Sequence, residues 1–227
     1  MVSKEKISIF WFRQDLRLSD NPGLSLALES ENVLPIYILD DFNSLDHKMG
    51  EASRWWLHKS LEKLNLKLNN SLSIHKGDPK DIFNELIEQY DVDSIFWNRC
   101  YEPWRIKRDK ILKENIESRN INVKTLNASL LWEPWDILKS DGTPYRVFSP
   151  FYKRGCLNAP PPRAPLKEPS LKNLLSNSSN NLFINDLDLL PSVSWYESMG
   201  DIWNPGEDGA KEKLHHFLDN GLLGYKE

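Results

Sequence analysis

The chain has 227 residues, of which 40 % are hydrophobic and 11 % aromatic, enough for one sizeable packed domain with an appendage and too apolar for a disordered segment. A formal net charge of -4 excludes a surface that is basic throughout, so any contact with nucleic-acid phosphates has to be local. Cys100 and Cys156 are too few for a disulfide framework and not spaced as a metal site, and no run reaches the length of a bilayer span; the expectation is a soluble cytoplasmic protein without a signal peptide.

Ile7 to Phe12 is an unbroken apolar, β-branched and aromatic run, which predicts a strand buried on both faces at the centre of a parallel sheet. Arg13, Gln14, Asp15 and Arg17 follow at once, before Asp20-Asn21-Pro22 opens a short helix to Glu29. Charge at the end of a buried strand lies on the carboxyl edge of the sheet, where doubly wound folds bind ligands, although the same side chains can simply cap and solvate the turn. Val33 to Leu39 reads as a second buried strand, ending at Asp40 and Asp41, a pair suited either to a ligand or to capping the next turn.

Met49 to Leu68 carries Leu57, Leu61, Leu64 and Leu68 at the spacing of one helix face, with Arg54, Trp55 and Trp56 near its start. Those tryptophans either finish the core or border a flat ligand. A brief strand at Leu72–His75 and a capped helix from Pro79 to Tyr90 come next. Asp91 to Trp97 is a further buried strand, followed by Asn98, Arg99, Tyr101 and Glu102 and by a helix from Pro103 to about Arg119; Asn122–Leu126 is the last strand. Repeated β-α units predict an α/β, Rossmann-like, doubly wound sheet of five parallel strands with helices on both faces. Polar groups after residues 12, 39 and 97 predict a crevice on one edge of it. No G-x-G-x-x-G follows the first strand, so the usual dinucleotide fingerprint is absent.

From about Leu157 the character changes. Ala159 to Pro165 is stiff and proline-rich, and 176–181 is a Ser/Asn run, both expected of a long linker. Helical spacing returns from Glu207 to Leu218 and stops at Asn220-Gly221. The expected division is an α/β domain over 5–135, a linker over 136–205, and over 206–227 a C-terminal helix that opens a further, truncated domain.

Trp11, Phe12, Arg13, Asp15, Leu16, Arg17, Asp20, Asn21 and Pro22 spell W-F-R-x-D-L-R-x-x-D-N-P, which resembles the opening signature of the photolyase and cryptochrome family. Gly50–Leu57, Trp97–Pro103 and Tyr145–Phe151 match later family segments in order and spacing, so the resemblance covers nearly the whole chain. It implies that 5–135 is the family's antenna domain and that 206–227 begins the helical FAD-binding domain. It further implies a DNA photolyase, in which light excites reduced FAD and an electron splits a pyrimidine dimer flipped from UV-damaged DNA; the full-length protein would be a monomer.

Tyr225 corresponds to the tyrosine that touches the FAD phosphates; the rest of that cradle and all catalytic groups would lie beyond Glu227. Arg13, Asp40, Asp41, Met49, Arg54 and Glu102 are implied to converge on an antenna chromophore, with Met49 and Trp55 or Trp56 forming its slot. Trp104 and Arg105 stand where folate-binding members often carry Asn-Glu, which favours a deazaflavin or flavin antenna over a folate. The plain alternative for Arg54 and Glu102 is an ion pair tying a helix start to a loop.

Arg146, Lys153, Arg154 and Arg163, interleaved with Phe148, Phe151 and Tyr152, suit a nucleic-acid backbone or a packing face for the helical domain, the latter leaving an exposed apolar patch. A cryptochrome-type light receptor and a free-standing flavin- or nucleotide-binding module are the competing readings.

Overall fold

A computed structural model describes residues 6–176 and 182–225. Five strands, β1 (Lys6–Phe12), β2 (Val33–Leu39), β3 (Ser73–Lys76), β4 (Asp91–Asn98) and β5 (Asn122–Leu126), form one sheet in the order β3-β2-β1-β4-β5, every pairing parallel. Phe10 and Phe12 point to one face, where α1 (Pro22–Ala27) and α2 (Glu51–Lys67) contribute Leu24, Leu57, Leu61 and Leu64. Ile9 and Trp11, one residue out of phase, point to the other, where α3 (Pro79–Gln89) and α4 (Pro103–Glu117) bring Phe83, Leu86, Leu112 and Ile116. Burial on both faces is why β1 and β2 read as continuous apolar runs.

Local signals set the helix starts. Asn21 caps α1 by accepting the Leu24 N–H at 3.1 Å, and Asp78 caps α3 through the Lys80 N–H at 2.9 Å, each followed by proline. Gly23, in the first turn of α1, lies against the sheet: a Cβ there would stand 2.7 Å from Asn98 Oδ1 and 2.9 Å from the Phe10 ring. No larger residue permits that approach without displacing β4.

Beyond β5 the chain forms short helical segments at α5 (Phe148–Pro150), Phe151–Gly155 and Cys156–Asn158, then α6 (Glu197–Ile202) and α7 (Glu207–His216). Val147 and Phe148 are exposed, and Phe148 stacks on Tyr152, in keeping with the apolar patch expected there. The proline-rich stretch is extended and exposed, as expected. The linker is nonetheless tied to the domain: Val33 N–H donates to Asn173 at 2.8 Å, the Leu175 N–H returns to Val33 at 2.8 Å, and Leu187 and Leu189 are buried in the α1/α2 core. The expected polar linker run lies, over 177–181, outside the described residues.

Candidate functional site

The loop after β1 leads to α1 on one face of the sheet and the loop after β4 leads to α4 on the other. Divergence of this kind opens a gap at the carboxyl edge. It is filled here by a crevice of about 550 Å3 lined by Arg13, Gln14, Leu16 and Arg17 after β1, by Tyr37 to Asp40 at the end of β2, and by Met49, Ser53, Trp56, Leu57 and Ser60 around α2. Trp104, Arg105 and Arg108 of α4 form another wall, and Gly206, Glu207 and Ala210 at the start of α7 a further one. That volume is within the range of small-molecule and cofactor sites.

Of the residues expected to converge, Arg13, Asp40 and Met49 do line the crevice. Asp41 and Arg54 do not; they form an ion pair with each other beside it, which occupies both charges. Glu102 is also absent from the wall, and its partner is not Arg54: its carboxylate accepts from Gln14 Nε2 at 2.6 Å and lies 3.6 Å from Arg105 Nε, so it braces two wall residues from outside. The end of β4 is used differently from expectation. Asn98 turns inward to Asp15 and Asn21, while Arg99 and Tyr101 turn to Glu133. The tryptophans divide their roles: Trp55 is buried in the core, and Trp56, 40 % exposed, faces the crevice and meets Trp203 edge-on. Tyr225 is 76 % exposed, with its ring against Phe217, and its surroundings form no phosphate cradle.

The polar floor is a chain of charges. Arg13 pairs with Asp109, Asp109 accepts from Arg108 Nη2 at 2.7 Å, and Arg108 Nη1 donates to Asp40 at 2.8 Å. The Arg108 guanidinium also sits 5.0 Å from the Trp11 ring and 5.2 Å from Trp104, an arrangement that favours a cation between two aromatic faces. Burial opposes the Arg108 charge, but Asp109 and Asp40 outweigh it and raise its pKa. Trp104 and Arg108 escaped sequence reading because α4 reads as a solvated helix rich in Lys and Arg; their spacing of four residues, which puts both on one face, was the available signal.

Glu207 was missed as well. Its carboxylate, 7 % exposed, accepts the N–H of Leu18 at 3.0 Å and of Ser19 at 3.1 Å, the Ser19 hydroxyl, and Lys211 Nζ at 2.8 Å. Burial acts to raise its pKa, but these donors win and lower it from 4.5 to about 2. The contact fastens α7 to the loop carrying Arg13 and Arg17 across 189 positions of sequence, so no local pattern announces it.

A depressed carboxyl pKa contributes stability above the unfolded value and loses it as pH falls towards the folded one. Glu207→Gln is therefore expected to cost about 1–2 kcal/mol at neutral pH, the scale of hydrogen bonds to a partly exposed charge. The difference from wild type should shrink between pH 4.5 and about 2. Paired thermal melts across that range check this; a deficit that stays constant with pH would show that the charge is not what holds α7.

Among the described residues no helix is long and apolar enough to cross a membrane. A parallel sheet with a charged, tryptophan-walled crevice at its carboxyl edge defines an α/β protein built to hold a flat ligand. The DNA photolyase family profile matches residues 8–170, and the chain belongs to that family. It is 36 % identical to a deoxyribodipyrimidine photo-lyase of Agrobacterium fabrum over 96 % of its length and 46 % of the relative's. It is 29 % identical to cryptochrome-1 of Arabidopsis thaliana over 97 % of its length and 33 % of that protein. The crystal structure of a class III photolyase from Agrobacterium tumefaciens superposes with a TM-score of 0.87 at 35 % identity, covering all of this chain and 47 % of that one. The chain thus spans about half the length, or less, of these relatives. Membership of this family implies FAD and an antenna chromophore.

Proposed function

We propose that the chain is the antenna-bearing half of a deoxyribodipyrimidine photo-lyase, a blue-light-driven, FAD-dependent enzyme acting on pyrimidine dimers in UV-damaged DNA. The observation that carries the reading is the crevice itself, where tryptophan and methionine surfaces meet a fixed row of ion pairs at the sheet edge. The group it would hold is a deazaflavin or flavin, which when bound absorbs light and passes the excitation to FAD. Met49, Trp56, Leu57 and Trp104 would supply apolar faces, Asp40 and Arg108 would fix the polar edge, and the Glu207 clasp would keep α7 in place as a wall that excludes water. The division into an antenna domain over 5–135, a linker over 136–205 and the start of an FAD-binding domain over 206–227 belongs to the same proposal. In it Tyr225 meets the FAD phosphates once the remainder of that domain surrounds it.

A cryptochrome-type receptor is the second reading, favoured by similarity to cryptochrome-1 along almost the whole chain. The test is light-dependent loss of cyclobutane dimers from irradiated DNA, assayed with the protein produced in its own host. Repair that requires illumination is expected; bound flavin without repair would favour the receptor.

A further inference from the structure

The walls of the crevice hold more positive charge than their acids neutralise. Arg105 has only Glu102 at 3.6 Å and Cys100 Sγ at 3.8 Å, and its Nε makes no hydrogen bond among the described residues. Arg17 donates to the carbonyls of Asp20 at 2.8 Å and Ala128 at 2.7 Å, while its nearest carboxylate, on Asp20, stands at 4.0 Å. Arg13, whose side chain is 2 % exposed, leaves Nε and Nη2 without hydrogen-bond partners among the described residues.

The wall acids are already committed. Asp40 serves Arg108 and Asn43, and Glu207 serves the Leu18–Ser19 backbone and two lysines. Helix α4 adds to the surplus, because its first turn, which enters the crevice at Trp104 and Arg105, contains no acid and lacks a side-chain cap.

Building on the reading of this crevice as a pigment site, we propose that its ligand carries an anionic arm, phosphate or carboxylate, held by Arg17 and Arg105. A planar guanidinium presents paired donors to either oxyanion, and burial nearby strengthens the bond. The aromatic walls then select for a flat ring and the arginines for the charge attached to it.

The experiment is a titration of the chain followed by tryptophan emission, using FMN against riboflavin and folic acid against its dimethyl ester. Within each pair the ring is shared and only the arm's charge differs. In one pair the anionic member should bind at least about tenfold tighter, the scale of one charge-assisted hydrogen bond. The advantage should shrink with added salt, and Arg105→Gln and Arg17→Gln should each reduce it by about threefold or more. Preference within the flavin pair identifies a phosphate arm, and preference within the folate pair a carboxylate arm. Equal binding within both pairs would overturn the inference while leaving the pigment reading intact. A preference unaffected by either substitution would overturn the assignment to these arginines, and failure of all four compounds to bind would overturn both readings.

Discussion

Asn98→Leu should lower stability by about 3–4 kcal/mol, the cost of leaving several buried polar groups without partners. Asn98 donates from Nδ2 to the Asp15 carboxylate and to Asn21 Oδ1 at 2.7 Å, and accepts the Gly23 N–H at 3.0 Å. Asn21 passes the network on to the Arg17 carbonyl at 2.9 Å and to the Leu24 N–H, while the Arg13 N–H donates to Asp15 at 2.9 Å. All three side chains are buried, so water cannot take over when one is removed. The network fixes the loop after β1 against β4, and with it the direction of Arg13 and Arg17 into the crevice. At about 2–4 °C per kcal/mol for a chain of this size, the melting temperature should fall by roughly 6–16 °C. Thermal unfolding by circular dichroism reads it directly; a fall of a degree or two would mean that the network does not support the loop.

Arg108→Met should be of comparable severity, about 3–5 kcal/mol, because removing one member of a buried ion-pair array strands the others. Asp40 and Asp109 would lose their shared cation, and Trp11 and Trp104 the group between them. Methionine has nearly the same length and fills much of the same space, so cavity formation contributes little and the loss reports on charge. Urea unfolding measures the loss. Adding Asp40→Asn should recover part of it, because the stranded charge is then gone while the bond from the Asn43 N–H can remain. No recovery in the double variant would count against the ion-pair account.

How far the sequence disclosed these features depended on range. Ile7 to Phe12 and Val33 to Leu39 were legible as central strands because burial on both faces writes itself as an uninterrupted apolar run. The starts of α1 and α3 were legible because Asn21-Pro22 and Asp78-Pro79 act within a single turn. At the site, Arg13 and Asp40 were found because a strand end dictates where they emerge. Asp41 and Arg54 were misplaced because a charged side chain goes to whichever partner the fold brings within reach, here each other. Asn98 looked like a group facing a ligand but is a structural tie, a choice made by the approach of Gly23 and Asp15 from distant segments. The clasp at Glu207 depends on a contact that only the folded chain creates.

The claim on which the account turns is that the crevice beside Trp56, Trp104 and Arg108 is where a pigment sits. Ser53 is an exposed residue on its wall, so Ser53→Trp should fill the cleft without disturbing the core. The decisive measurement is the absorbance spectrum of the 227-residue chain isolated from its own host, taken for wild type and for this variant. A near-ultraviolet or blue band in close to one-to-one ratio with wild-type protein, lost in Ser53→Trp at an unchanged melting temperature, is the predicted result. A chain without any such band, or one whose band survives with the crevice filled, would contradict it.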